Sequence, residues 1–192
     1  MLRFSDARNF GRTLTGLCLI AAPIVFMAAQ LVSPDVDNDN KVKELAKVAE
    51  HKGSYLFGGI LFLVGSALLL AASVGLIRLF ASRRVTLGQI AGGLLLVGSA
   101  ATVAFYAFTT VEYEMVNISG LDRAQMARLL DKAMNANSGI PLFIMFGVGI
   151  TIGLILLAIA SWRSKVVPTW VAPVLLALSS AGLPTGVLSV GW

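Results

Sequence analysis

Five apolar blocks, each long enough to cross a bilayer, constrain this chain more than any other feature. They cover approximately 13–32, 54–77, 87–110, 140–161 and 168–191, and a spanning helix needs about 20 residues. Hydrophobic residues make up 57% of the chain and charged residues 13%, against about 25% charged in ordinary soluble domains. The mean hydropathy of +0.83 therefore comes from continuous blocks, not scattered positions. The expectation is an all-α integral membrane protein: a single transmembrane domain over residues 1–192, built as a five-helix bundle.

Arg3, Arg8 and Arg12 precede the first block as they would in a signal peptide. Its apolar part is long for such a segment, so it is read as a retained crossing. Cys18 is the one cysteine; it excludes an internal disulfide and is expected to pack inside the first helix.

The polar segments alternate in character. The N-terminus and the short turns "RLFASRR" and "WRSK" hold Arg3, Arg8, Arg12, Arg78, Arg83, Arg84, Arg163 and Lys165, with Asp6 as their acid. In the longer loops 33–53 and 111–138 acids outnumber bases. The positive-inside rule then places the short basic turns in the cytoplasm, with the N-terminus inside and the C-terminus outside. The net charge of +5 is dispersed beside helix ends, which suits anionic lipid head groups as partners and gives no nucleic-acid surface. Trp162, Trp170 and Trp192 mark membrane interfaces.

The chain also resembles itself. "LAKVAEHKGSYLF" (45–57) is similar to "MARLLDKAMNANSGIPLF" (126–143), and "RTLTG" (12–16) to "RVTLG" (84–88). This pattern predicts two like-oriented repeat units, 13–80 and 86–161, followed by the crossing at 168–191. Each unit holds one short amphipathic helix on the outer face. Asp37 to Asn40 supply N-caps for the first, and Ser119 or Asp122 for the second. Val42, Leu45 and Val48 or Ala49 would form one buried stripe, and Met126, Leu129, Leu130 and Ala133 the other.

Helices in lipid associate through small residues. The pairs Gly88 and Gly92, Gly149 and Gly153, and Gly182 and Gly186 are GxxxG spacings expected at helix contacts, within one chain or in a homo-oligomer. Pro23, Pro173 and Pro184 fall inside crossings, where neighbours or Ser/Thr side chains re-satisfy the backbone.

No Asp, Glu, Lys, Arg or His occupies the middle of a block. Such groups normally mark ion paths and proton relays, so their absence argues against a pump. His51 is the one histidine, which excludes bis-histidine haem and multi-histidine metal sites within the chain. No nucleophile elbow, P-loop, zinc motif or dinucleotide fingerprint occurs, and no cofactor is expected. "NIS" at Asn117 is a glycosylation sequon. The chemistry left over clusters near "TTVEYEMVNISG" (109–120). Glu112 lies roughly 42 Å of helix beyond Arg84, outside a hydrocarbon core of about 30 Å. Glu112 and Glu114 point nearly opposite ways on a helix, which disfavours a carboxylate pair. His51, Glu112, Tyr113 and Glu114 make up the candidate outer polar site.

The stretches "VAEHKGSYLFGGILFLVGSALLLAASVGLIRLF" and "DRAQMARLLDKAMNANSGIPLF", followed by "WRSKVVPTW", resemble those of small multi-pass bacterial inner-membrane proteins of uncharacterised function. The resemblance is one of pattern and implies no activity. The residues themselves predict a non-enzymatic protein that binds a lipid-like molecule or a membrane-protein partner. The alternatives are a small exporter of an uncharged hydrophobic compound and a membrane enzyme with an outer polar site.

Overall fold

Where the apolar runs end, the helices do not. The structure, a computed structural model, describes residues 7–34, 40–83, 85–118, 120, 122–134 and 140–164. Within them lie α1 (Ala7–Val32), α2 (Lys41–Glu50), α3 (Lys52–Ser82), α4 (Thr86–Asn117), α5 (Arg123–Met134) and α6 (Ile140–Ser164). Four of these, α1, α3, α4 and α6, are long and apolar enough to cross a membrane. The expected fifth crossing, with Gly182 and Gly186, lies outside the described residues. The polar residues at the rims continue the helices, so α4 runs past Thr110 to Asn117. Its 32 residues span about 48 Å at about 1.5 Å per residue, well beyond a hydrocarbon core of about 30 Å.

The long helices pack as a row, α1 on α3, α3 on α4 and α4 on α6. Between α3 and α4 the chain turns within three residues, and the Phe80 carbonyl accepts from the Arg83 and Val85 N–H groups at 3.1 and 3.0 Å. Below that turn Leu76, Phe80, Ala91, Leu95, Leu157, Ala158 and Ala160 form one buried core. The seams close because glycine lets backbones approach. A Cβ on Gly88 would meet the Phe80 ring, one on Gly92 would meet Ile77, and one on Gly153 would meet Leu95. Between α4 and α6 backbone meets backbone, and a Cβ on Gly149 would stand 2.8 Å from Gly98 Cα. Only glycine fits both sides of such a contact. Further along, Phe105 of α4 meets Phe143 and Phe146 of α6 with ring centroids 4.7 and 5.4 Å apart.

Four interior hydroxyls satisfy themselves locally, whereas the buried Ser161 Oγ on α6 has no hydrogen-bond partner among the described residues. Ser66, Ser73, Ser99 and Thr102 donate to the carbonyls four residues back, at 2.6 to 2.9 Å. Cys18 is buried on α1. The opposite side of α1 carries exposed Phe10, Leu14, Leu17, Ile20, Ile24, Met27 and Leu31. At steps of three and four this is a continuous lipid-type stripe.

Helices α2 and α5 lie at the end of the row away from the α3–α4 turn, here termed the capped end, and contact each other. Asn40 caps α2, its Oδ1 accepting from Val42 and Lys43 N–H at 3.1 and 3.2 Å. Asp122 does the same for α5 through Ala124 N–H at 3.0 Å. The buried faces are rotated from the expected stripes. Glu44, Leu45 and Val48 are buried on α2, and Met126, Ala127 and Leu130 on α5, while Val42, Leu129 and Ala133 are exposed. The rotation arises because each short helix packs on its counterpart and on the end of α4, through Met115 and Val116.

Candidate functional site

The last turns of α4 carry Glu112 and Glu114 to the capped end, and helical geometry sends them to opposite fates. Glu112 is 3% exposed; Glu114 is exposed, and Tyr113 between them is half-buried. The two glutamates therefore form no carboxylate pair. His51 sits exposed at the junction of α2 and α3, its Nδ1 3.4 Å from the Lys47 carbonyl oxygen. It is not the partner of the buried glutamate.

That partner is Tyr55, in the first turn of α3, whose hydroxyl donates to Glu112 Oε2. Thr109, one turn before Glu112, also interacts with the Tyr55 hydroxyl. A third helix contributes Glu44, which is 4% exposed on α2. Its Oε2 accepts from Lys41 Nζ at 2.6 Å, an ion pair one turn apart. Glu44 and Lys41 both act electrostatically on Glu112. The result is a node of two carboxylates, one ammonium and one phenol, drawn from α2, α3 and α4. Beside it Lys52 Nζ donates to Asn117 Oδ1 at 2.9 Å and ties the start of α3 to the end of α4.

Sequence reasoning placed Glu112 here and missed Glu44, Lys41 and Tyr55. For Glu44 a signal existed: an acid sharing a face with Leu45 and Val48, three residues after a lysine. For Tyr55 none did, because its partner is 57 residues away.

Next to the node lies a corner cavity of about 260 Å³ between the end of α4, α2 and α5. Leu45, Met115, Val116 and Met126 give it apolar walls, and Asn117, Ile118, Gly120 and Arg123 form the rest of its lining. Gly120 takes φ 93° there, a left-handed conformation that glycine adopts without cost and that aims the chain into α5. Its lining is thus mixed, polar as well as apolar. Among the described residues no group of three or more His, Cys, Asp or Glu is arranged to hold a metal ion.

No curated protein and no solved structure matches the chain. A family model described as a domain of unknown function, DUF4386, matches residues 14–191, nearly the whole length, and the chain belongs to that family.

Proposed function

We propose that this protein works by binding, and that its ligand is a lipid-like molecule with an anionic head seated in the corner cavity. The observation that carries the reading is the cavity itself, with Met115, Met126 and Leu45 as walls and Arg123 in its lining. Its volume of about 260 Å³ is below the roughly 300–1,000 Å³ of pockets that engulf a whole drug-sized ligand. It suits a head group and the first part of a chain, with the remainder lying along the apolar helix faces. The protein resides in the cytoplasmic membrane with its N-terminus inside, so the capped end and its two amphipathic helices face outward, at head-group height.

The order long, short, long occurs twice, as α1–α2–α3 and α4–α5–α6, which supports the internal repeat. Export of a hydrophobic compound is the second reading; the closed glycine contacts of the described seams favour binding over it.

Native mass spectrometry of the protein in lipid nanodiscs tests the reading. Retained anionic glycerophospholipid is expected, with retention lowered about tenfold by Arg123→Glu, as the loss of a charge-assisted contact implies. Protein released with no lipid, or with a second protein in its place, would count against it.

A further inference from the structure

We propose that Glu112 and Glu44 form a proton-operated latch that sets how tightly α2 closes over the corner cavity. The relevance of the latch to ligand binding rests on the reading above; the latch itself does not.

The geometry begins with two adjacent residues of α2. Glu44 enters the polar node, while Leu45 lines the cavity. Whatever shifts Glu44 therefore shifts a cavity wall. The α2 helix joins α3 through His51 alone, a single residue at φ −120° and ψ 39°, so the short helix can turn about that joint without unwinding either neighbour. Packing by Leu45 and Val48 favours the closed position.

Charge decides the rest. The groups acting on Glu112 are Lys41 and Glu44 from α2 and Tyr55 from α3, and Thr109 of α4 meets the same phenol. Lys41 is the one cation of this set, and its ammonium is held on Glu44. With both carboxylates ionised the node has a surplus negative charge, and Glu44 and Glu112 repel across the α2–α4 contact. A buried charge without a matching partner is costly. A proton from the aqueous side settling on a Glu112 oxygen removes the surplus. It leaves the Lys41–Glu44 pair intact, and the second Glu112 oxygen can still accept from Tyr55. The sign follows directly: α2 is held shut while Glu112 carries its proton, and it loosens as pH rises and that proton leaves.

Hydrogen–deuterium exchange of α2 peptides in nanodiscs, corrected for the chemical exchange rate, reads the latch without any ligand. Across a series from acid to alkaline pH, protection of α2 is expected to be about tenfold higher at the acid end, the scale of two like charges at a partly screened site. Glu112→Gln, which keeps the shape and the acceptor, should stay protected at both ends of that range. Tyr55→Phe should move the midpoint. His51 sits at the joint, so His51→Gln is the control and should leave the response unchanged. A flat or reversed wild-type profile, a Glu112→Gln profile like wild type, or a response abolished by His51→Gln would each overturn the proposal. Lipid retention in the same samples separates the two readings. A pH-responsive α2 with no lipid at any pH keeps the latch and removes the ligand; retained lipid over an unresponsive α2 does the reverse.

Discussion

At Tyr55 a single hydroxyl joins α3 to a carboxylate that is almost wholly buried. Removing it takes away one hydrogen bond in a site water hardly reaches, a loss of about 0.5–1.5 kcal/mol. Tyr55→Phe should therefore lower the midpoint of thermal unfolding in detergent, whereas Tyr113→Phe, on a half-buried neighbour, should change it little. A second contrast concerns glycines. A Cβ on Gly98 would stand 2.7 Å from the Ile150 backbone nitrogen, while one on Gly93 would meet nothing within 4 Å. Gly98→Val is expected to destabilise the α4–α6 seam by about 1–3 kcal/mol, and Gly93→Ala to be neutral or slightly stabilising through helix propensity. Equal unfolding midpoints for these two variants would contradict the packing. The different fates of Glu112 and Glu114 were legible in the sequence, because two steps along a helix reverse direction. The identity of the buried partner was not, since nothing local links Glu112 to a tyrosine on the preceding crossing.

At the scale of the element, α2 and α5 show what periodicity gives and where it stops. Their existence and their caps at Asn40 and Asp122 follow from local chemistry. Their buried faces do not, because an amphipathic stripe can be drawn through Val42 or through Glu44 with nearly equal apolar content. Packing chose the second by setting the short helices against each other and against Met115 and Val116. The choice puts an acid on the inner face, a cost the Lys41 ion pair offsets. Asn40→Ala removes the side-chain acceptor of the Val42 and Lys43 N–H groups and should cost about 1 kcal/mol. Its effect should be confined to α2, seen as faster amide exchange there with α6 unchanged. The helices outlast the apolar blocks for a related reason: hydropathy records where lipid ends, whereas α3 and α4 continue beyond those blocks with their backbone bonds intact.

For the molecule as a whole, four spanning helices in a row imply a defined orientation that labelling can check. With Cys18 buried and silent, single cysteines at Lys43 and Arg163 report on opposite ends. A membrane-impermeant thiol reagent applied to intact cells should modify Lys43→Cys and spare Arg163→Cys; the reverse result would invert the topology. The row has one more consequence, which concerns time. Each long helix packs on the long helix made just before it, α3 on α1, α4 on α3 and α6 on α4. A chain made from its N-terminus at roughly 5–20 residues per second thus meets every new neighbour as the most recent arrival in the bilayer. Among the described helices no finished contact has to reopen to admit a later one. Assembly can keep pace with the ribosome, and shortening the chain from its C-terminal end should leave α1, α3 and α4 already joined.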